Sequence, residues 1–226
     1  MRFGILGTGV VGKTIAARLA DLGHEVMVGT RAPEETMSRT EPDPYGNPPF
    51  SAWQKEHPEV RLGMFAEAAA HGEMIVNATA GAASLEVLEQ AGEDNLNGKA
   101  LIDIANPLDF SKGMPPTLSV SNTDSLGEQI QRRFPEVKVV KTLHTMNAYL
   151  MVNPAQLAAA DHTVFVSGGD PEAKGRVSEL LRSLGWTDII DLGDITTARG
   201  TEMLLPIWLR LFGALQRPIF NFKIVR

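Results

Sequence analysis

The amino-acid sequence predicts a doubly wound α/β fold, with a mostly parallel sheet and a C-terminal helical extension. Short apolar runs alternate with amphipathic stretches along most of the chain, which is the pattern of strands joined by helical crossovers. The first two runs enclose a glycine-rich loop, and a long apolar stretch follows the last run. Right-handed crossovers between successive strands then place helices on both faces of the sheet.

The first half of the chain carries clear strand and helix signals. Apolar side chains at Ile15, Ala16, Leu19 and Leu22 share one face of a predicted helix. An alanine-rich stretch predicts another helix further along. In this half, strands are predicted at residues 2–6, 25–28, 59–62, 74–77 and 100–104, and helices at residues 11–22, 51–57, 65–71 and 84–91.

The second half continues the alternation and ends in an apolar helix. Asp170 as N-cap, Pro171 at the first helical position and Gly185 as the stop delimit one helix. Strands are predicted at residues 137–141, 163–166 and 187–192, helices at 124–134, 171–184 and 197–215, and a helical turn at 154–160. We therefore expect one domain over residues 1–192, and a C-terminal helix and tail over residues 193–226 that packs on it.

Two proline-rich segments break the alternation and are predicted to be irregular. They cover residues 31–49, with Pro33, Pro42, Pro44, Pro48 and Pro49, and residues 106–121, with Pro107, Pro115 and Pro116. Long loops inside a compact domain are usually functional or disordered.

Composition limits the possible classes of function. The chain has no cysteine, which excludes disulfides, thiolate metal sites and cysteine nucleophiles. Its 21 basic and 27 acidic residues give a formal charge of −6, which argues against a general nucleic-acid binder. No apolar run is long enough to span a bilayer, so we expect no membrane association and a cytoplasmic location. The five histidines show no metal-binding spacing, and no metal is expected.

The glycine-rich loop carries the strongest motif. Gly7, Gly9 and Gly12 form GxGxxG between a predicted strand and helix, the context in which this motif indicates a Rossmann-type dinucleotide site. Gly7 permits the tight turn, Gly9 lets the main chain approach a pyrophosphate, and Gly12 allows close packing of helix on sheet. The alternative is a structural glycine turn without a ligand.

The end of the second strand indicates which dinucleotide is bound. NAD-selective chains usually carry Asp or Glu there, but this chain reads Gly29-Thr30-Arg31. A hydroxyl and a guanidinium suit the 2′-phosphate of NADP, whereas an acid would repel it. The sequence therefore favours NADP over NAD. Alternatively, Arg31 is a solvated charge or stacks on adenine.

Two further strand ends are predicted to line the same cleft. Small residues follow the strand at 74–77, from Ala78 to Ala83, and Asn106 follows the next strand. Ligands of open parallel sheets bind outside the carboxyl ends of the strands. The small residues would let the backbone pass close to a cofactor, or they simply ease helix packing.

Four blocks of sequence together resemble the NADPH:coenzyme F420 oxidoreductase family, the deazaflavin-dependent NADP oxidoreductases. They are GILGTGVVGKTIAARLADLGHEVMVGTR, the Asn-Pro-Leu turn at 106–108, VVKTLHTMNA at 139–148 and LGDITTARGTEMLLPIWLRL at 192–211. The reductase domain of the STEAP metalloreductases has a related layout. The resemblance implies an NADP-dependent oxidoreductase that transfers a hydride directly between NADP(H) and a planar ring.

The resemblance also implies which residues form the site. His144 and Met146 would approach the acceptor, with His144 positioning the ring. Asn147 stands where the archaeal enzymes carry proline, and it is a further candidate on the substrate side that would orient a carboxamide. Alternatively, His144 is a structural hydrogen-bonding residue and Asn147 caps a turn. The residues that the resemblance implies, the glycine loop and the two further strand ends together give the candidate cofactor-binding set: Gly7, Thr8, Gly9, Val10, Val11, Gly12, Thr30, Arg31, Ala78, Thr79, Ala80, Ala83, Asn106 and Ala148.

The chain departs from the family pattern in ways that bear on the acceptor. Ala80-Gly81 stand where the family carries bulkier residues, and a wider pocket there would admit a flavin or quinone as well as coenzyme F420. The archaeal enzymes carry a basic residue where this chain reads Pro33-Glu34-Glu35, and residues 41–49 have no obvious counterpart. Two other functions stay open, an imine or carbonyl reductase using NADPH and a non-enzymatic NADP(H)-binding redox sensor.

The predicted helix at residues 197–215 is too apolar for one face of a sheet to cover. We therefore expect a homodimer that buries part of this helix, with the tail at 220–225 adding a strand or crossing the interface. On the same helix, Arg199 and Glu202 are expected to pair with each other. No Lys–Asp pair appears in a recognisable motif.

Overall fold

The structure, a computed structural model, describes residues 1–43 and 46–226. Pro44, which belongs to a segment predicted to be irregular, lies outside the described residues. The elements of the first half are β1 (Arg2–Leu6), α1 (Val10–Asp21), β2 (Glu25–Thr30), α2 (Pro33–Ser38), α3 (Phe50–Glu56), β3 (Arg61–Met64), α4 (Phe65–His71), β4 (Met74–Asn77), α5 (Ser84–Ala91), α6 (Glu93–Leu96) and β5 (Ala100–Asp103).

The second half contains two short strands and a divided C-terminal helix. Its elements are β6 (Leu108–Asp109), β7 (Thr117–Leu118), α7 (Leu126–Arg133), β8 (Lys138–Thr142), α8 (Ala148–Val152), β9 (Thr163–Gly168), α9 (Pro171–Ser183), β10 (Asp188–Asp191), α10 (Ala198–Glu202) and α11 (Leu205–Leu215). Short 3₁₀ turns lie at Gly81–Ala83, Pro154–Gln156, Ala158–Ala160 and Ile195–Thr197.

Eight of the described strands form one sheet, in the order β10-β9-β8-β5-β4-β1-β2-β3. Six neighbouring strands of this sheet, β8, β5, β4, β1, β2 and β3, are parallel to one another, whereas β9 runs antiparallel to β8. The predicted doubly wound α/β fold with a mostly parallel sheet is confirmed. The order in which strands are added reverses at β1, because β2 and β3 lie on one side of it and β4 and β5 on the other. Such a switch point opens a crevice at the carboxyl ends of the strands.

Apolar side chains from both faces of the sheet form two buried clusters. The larger cluster includes α1, α8 and α9, and the smaller includes α4, α5 and α7. Strands such as β4 are buried along their whole length, as expected of parallel strands covered on both faces. Helices therefore fix the carboxyl ends of these strands from both sides.

The structure corrects several sequence predictions. Helix α2 lies inside the segment at 31–49, and the β6–β7 pair lies inside the segment at 106–121, both of which were predicted to be irregular. The predicted helix at 197–215 is broken after Glu202, because Pro206 sits in the first turn of a new helix and cannot continue the earlier one. The tail forms no regular strand, although the Thr163 amide donates to the Phe222 carbonyl.

Across residues 1–43 and 46–226, no helix combines the length and apolar character needed to cross a bilayer.

Candidate active site

The carboxyl ends of β1, β4 and β5 meet at a cleft of about 490 Å³. The cleft lies between the glycine loop, the loop after β4 and the loop after β5. Its lining is mainly apolar and includes Gly9, Val10, Val11, Ala78, Thr79, Ala80, Gly81, Ala82, Ile104, Ala105, Asn106, Leu108 and Phe110. The structure thus brings together residues from three predicted strand ends.

The three glycines of the motif differ in whether the fold itself has room for a side chain at their positions. Gly7 has φ +119°, and a Cβ there would lie 2.7 Å from the Ala78 carbonyl oxygen. A Cβ on Gly12 would lie 2.1 Å from the Gly7 carbonyl oxygen. Gly9, by contrast, has an ordinary extended backbone, and a Cβ on it would meet no atom within 4 Å. The fold needs Gly7 and Gly12, but it leaves open space at Gly9.

The N-terminus of α1 faces this open space. Its N-cap residue is Gly9, no side chain caps the helix, and the first turn has no acidic residue. The first N–H groups of a helix carry a partial positive charge and bind anions well. A pyrophosphate fits both the free helix end and the missing side chain at Gly9.

A second cavity of about 330 Å³ adjoins the glycine loop. Thr8, Gly9 and Val10 line it together with Thr36 and Arg39, which α2 brings to the loop. The Arg39 guanidinium pairs with the Glu35 carboxylate at 2.6 Å on an exposed surface. Sequence reasoning missed Arg39, because only the helical turn of α2 carries it back toward the glycine loop.

Arg31 and Thr30 occupy the end of β2 as predicted, but their surroundings differ. Arg31 is 65% exposed, and its guanidinium pairs with the Glu86 carboxylate at 3.0 Å. The Thr30 hydroxyl is buried and bonds to the Thr36 hydroxyl at 2.9 Å. Arg31 is therefore accessible to a ligand, whereas the Thr30 hydroxyl already helps to hold α2 in place.

Lys13, in the first turn of α1, joins the proline-rich segment to the glycine loop. Its ammonium donates to the Pro48 carbonyl at 2.5 Å, and the side chain lines the second cavity. Burial lowers the pKa of Lys13, and the negative charge of Asp43 partly opposes that change. The segment that includes Pro48 therefore packs over the N-terminus of α1.

The loop after β5 presents an unpaired acceptor at the cleft. The Asn106 amide nitrogen donates to the His144 carbonyl at 3.0 Å. Its amide oxygen is buried without a hydrogen-bond partner among the described residues. A buried acceptor without a donor is costly, so a ligand N–H is a natural partner for this oxygen.

The small residues after β4 serve packing as well as the cleft. A Cβ on Gly81 would lie 2.0 Å from the Asn106 carbonyl oxygen, so the two loops already fill that space. The expectation that Gly81 widens the pocket is wrong. Ala80 and Ala82 are exposed and line the cleft, whereas Ala83 lies outside its described lining.

A row of polar side chains runs beneath the cleft. Asn77, Asp103 and Lys141 are register neighbours on β4, β5 and β8, and all three are fully buried. The Lys141 ammonium contacts the carboxylates of Asp103 at 2.8 Å and Glu202 at 2.9 Å. Burial opposes the charge on Lys141, but these two carboxylates outweigh it and raise its pKa. No sequence motif indicates this Lys–Asp pair, because the pair forms only through strand register.

Glu202 also has a different partner from the predicted one. Its carboxylate accepts from the backbone N–H groups of Leu126 and Gly127 at the start of α7, in addition to its contact with Lys141. Arg199 instead pairs with Glu128 at 2.5 Å. The expected Arg199–Glu202 pair is wrong, although both residues do form ion pairs within the chain.

His144 lies below the cleft surface, with 2% of its area exposed. It follows Leu143, whose φ of +63° forms a tight turn closed by the His144 N–H and the Thr142 carbonyl at 2.8 Å. Such a backbone is strained for a leucine. Burial, and then the charge of Lys141, lower the pKa of His144 well below its ordinary value, although the carbonyls of Thr142 and Thr201 act in the opposite direction.

The residues that follow His144 are packed or hydrogen-bonded within the chain. Met146 and Ala148 are buried, and the Asn147 side chain caps α8 by accepting from the Tyr149 amide at 3.0 Å. None of these side chains belongs to the described lining of the cleft. The roles of His144, Met146 and Asn147 at the acceptor, and of Ala148 at the cofactor, stay predictions.

The β6–β7 pair brings an aromatic residue to the rim of the cleft. Leu108 and Phe110 line the cleft, and the Phe110 side chain is 52% exposed. Residues 106–121 were predicted to be an irregular loop, of a kind that is usually functional or disordered, and Phe110 was not among the predicted site residues. The available signal was a large aromatic residue in a proline-rich loop that follows a predicted strand.

Comparison with known proteins identifies the family. A family model described as "NADP oxidoreductase coenzyme F420-dependent" matches residues 2–107. A crystal structure from Arthrobacter sp. FB24, of a protein provisionally assigned as an F420-dependent NADP reductase, is 64% identical, with a TM-score of 0.96 over 99% of both chains. The chain belongs to the F420-dependent NADP oxidoreductase family. The predicted resemblance and the assignment as an NADP-dependent oxidoreductase are confirmed.

More distant relatives are consistent with this family assignment. The F420-dependent NADP reductase of Methanocaldococcus jannaschii is 28% identical over 226 residues, covering 93% of this chain and 92% of that protein. The rat metalloreductase STEAP3 is 27% identical over 212 residues, covering 92% of this chain. The matched part is only 38% of the length of STEAP3.

Proposed function

We propose that this protein transfers a hydride between NADP(H) and a planar ring acceptor, and that coenzyme F420 is the acceptor. The observation that carries the proposal is Gly9. Its Cβ position is empty, its backbone is ordinary, and it caps an anion-binding helix end, so a ligand rather than the fold explains the missing side chain. Family membership supports NADP as that ligand.

The 2′-phosphate of NADP would be held by Arg31 and Arg39. Both guanidinium groups now form exposed pairs, with Glu86 and Glu35. Exposed ion pairs contribute little, about 0–1 kcal/mol, so both arginines can exchange their carboxylate partners for a phosphate. A phosphate also accepts from the guanidinium fork in the same geometry as a carboxylate. Arg39 would then supply the positive charge that the Pro33-Glu34-Glu35 stretch lacks.

The pyrophosphate would bind at the glycine loop, against Thr8, Gly9, Val10 and Val11. Toward the nicotinamide, the Asn106 oxygen, which has no hydrogen-bond partner among the described residues, would accept from the carboxamide N–H₂ group. Bound NADPH supplies the hydride, and the cleft residues orient it and exclude water from one side.

The acceptor ring would enter past Phe110. This exposed ring lies on the lining of the same cleft as Thr79 and Asn106. Aromatic side chains stack on planar ligands in offset geometry, with a contribution of about 0.5–1.5 kcal/mol beyond burial. The buried, uncharged His144 would support the acceptor side through its carbonyl bond to Asn106.

The test is turnover of NADPH with a panel of acceptors. Coenzyme F420, FMN, a quinone, a ferric chelate and a cyclic imine are compared at equal concentration, using NADPH deuterated at the transferred position. We expect F420 to be reduced fastest, with deuterium retained in the product. Phe110→Ala should raise KM for F420 several-fold and leave the Kd for NADPH unchanged. Preferred reduction of FMN or of the imine would replace F420 as the acceptor.

We also propose that the protein is a homodimer that buries α11. Only Leu205 among the residues of α11 is buried, while Ile207, Phe212 and Leu215 are each more than 40% exposed. Such a contiguous apolar surface is typical of an interface between subunits. Arg210 is the one charged residue of the helix, so a matching apolar helix from a second copy suits the surface well.

Sedimentation velocity tests the assembly. The wild type should sediment as a dimer at micromolar concentration, and Ile207→Glu together with Phe212→Glu should shift it to a monomer. The matched control is Glu179→Lys on α9, a charge change on a surface unconnected with α11. A monomeric wild type would refute the dimer and leave the proposed reaction in place.

A further inference from the structure

The buried polar row below the cleft is not required by the proposed contacts to NADP, yet it contacts the walls of the cleft directly. Lys141 donates all three of its N–H bonds, to Asp103, Glu202 and the Ala105 carbonyl, the last at 2.5 Å. Ala105 is a lining residue of the cleft. The ammonium group therefore holds a backbone group of the cleft wall.

Asp103 holds the same wall from the other side and reaches a second wall. Its carboxylate accepts from the Ala105 amide at 3.2 Å and from the Asn77 side chain at 2.8 Å. Asn77 in turn accepts from the Thr79 hydroxyl at 2.7 Å. Both backbone groups of Ala105 and the side chain of Thr79 are thus fixed by one connected network.

Charge balance explains why Glu202 is part of the network. Two carboxylates and one ammonium leave a net negative charge in the protein interior. The N-terminus of α7 compensates for it, because Glu202 accepts from the Leu126 and Gly127 amides at 2.9 and 3.1 Å. Every polar atom of the triad is therefore partnered.

Stability alone does not account for such a triad. Buried ion pairs can often be replaced by apolar residues of similar volume without loss of stability, because the removal of charges from water is so unfavourable. An apolar replacement would supply neither a fixed donor for the Ala105 carbonyl nor the chain of hydrogen bonds that links Asp103 through Asn77 to the Thr79 hydroxyl. These two contacts end on two different walls of the cleft.

We propose that Lys141 is a positioning residue for hydride transfer, which holds the loops after β4 and β5 at the separation that the reaction requires, with Asp103 and Glu202 as its counter-ions. The inference rests on the proposed function of the cleft. A small displacement of reacting groups lowers the rate strongly, with about 1 Å costing on the order of 100-fold. Ground-state binding depends much less on such precision.

The test compares Lys141→Met with Lys174→Met. Lys174 is the matched control, since its ammonium also pairs with a carboxylate, Asp191 at 2.8 Å, and with a backbone carbonyl, Gly193 at 3.0 Å, away from the cleft. We expect kcat with NADPH and F420 to fall about 10- to 100-fold in Lys141→Met. The deuterium isotope effect on kcat should rise, and the Kd for NADPH should change less than about two-fold. Lys174→Met should leave all three unchanged.

A second measurement does not depend on the acceptor. Hydrogen exchange of the amides at residues 104–108 should accelerate in Lys141→Met and in the milder variants Asp103→Asn and Glu202→Gln, but not in Lys174→Met. The milder variants serve if Lys141→Met does not fold. Unchanged exchange at this loop, or a wild-type kcat in folded Lys141→Met, would overturn the positioning role. Absence of NADPH binding by the wild type would instead overturn the proposed function. The exchange result alone would then decide whether Lys141 holds the loop after β5 in place.

Discussion

The two ends of the proposed NADP site are built in opposite ways. At the end proposed to hold the adenosine, Arg31 and Arg39 stand in solvent and are held by single exposed carboxylates. At the end proposed to hold the nicotinamide, Lys141 lies below the cleft, where it is fully buried and bonded through all three N–H groups. Exposed charges exchange partners easily, which suits recognition of a phosphate, whereas a buried network fixes positions. We therefore expect mutations at the first end to change affinity and those at the second to change rate.

The largest effect on cofactor binding is expected at Gly9, between the two ends of the proposed site. Gly9→Val should reduce NADP binding by ~100-fold or more, about 2.7 kcal/mol or greater, because its side chain would occupy the place of the pyrophosphate. The melting temperature should hardly change, since a Cβ there meets no atom of the protein. Gly169→Val is the control, because that glycine also faces open space but lies far from the motif. Retained affinity in a fluorescence titration would contradict the dinucleotide site.

The next effect concerns the stability of the buried end. Lys141→Met removes the cation and leaves two buried carboxylates facing each other, so unfolding should become easier by about 3–5 kcal/mol. Lys174→Met should lose much less, since Asp191 is more than half exposed and returns to water. Chemical denaturation of both variants measures the difference. Equal losses of unfolding free energy in the two variants would mean that the buried triad contributes no more to stability than a surface ion pair.

Arg31→Glu tests the exposed end. It removes a charge-assisted contact and adds repulsion, so NADP affinity should fall by roughly 2–4 kcal/mol while NAD affinity changes far less. The new carboxylate would also face Glu86. Isothermal titration with both cofactors is the measurement. Similar losses for NADP and NAD would show that Arg31 does not read the 2′-phosphate.

The smallest effect is the pH dependence that His144 contributes. Its pKa is lowered in the folded chain by burial and by Lys141, while the unfolded chain titrates near the ordinary value of about 6.5. As the pH falls below that value, the unfolded state binds a proton that the folded state does not. Stability is then lost, at up to about 1.4 kcal/mol per pH unit from this group.

His144→Phe removes this contribution, so the stability curve below pH 6.5 should be flatter than that of the wild type. His24 and His71, whose pKa values are also lowered by burial, stay in both proteins and cancel in the difference. Parallel curves for the two proteins would contradict a neutral, buried His144.

The exposed end was easier to predict from the sequence than the buried end. The glycine loop, the strand that ends just before Arg31 and the parallel sheet follow from local patterns, because hydrophobic period and turn residues act over a few positions. Arg39 was not predicted, because Pro33 lies in a segment predicted to be irregular, although proline is common in the first turn of a helix.

The buried network was not predictable from separate segments. Asn77, Asp103 and Lys141 each lie at or near the carboxyl end of an apolar strand, which was a visible signal, but only the register of β4, β5 and β8 aligns them. Glu202 joins them from an element more than sixty residues after Lys141. Pro206 could have shown that the last predicted helix is divided, and that break sets where Glu202 lies.

The contrast between the two ends is tested most directly by measuring the Kd for NADPH and kcat at saturating NADPH in Arg31→Glu and Lys141→Met side by side. The account predicts opposite outcomes. Arg31→Glu should raise Kd with little change in kcat, whereas Lys141→Met should lower kcat with little change in Kd. If both variants, correctly folded, alter the same one of the two quantities, then recognition and positioning are not divided between the two ends of the proposed NADP site.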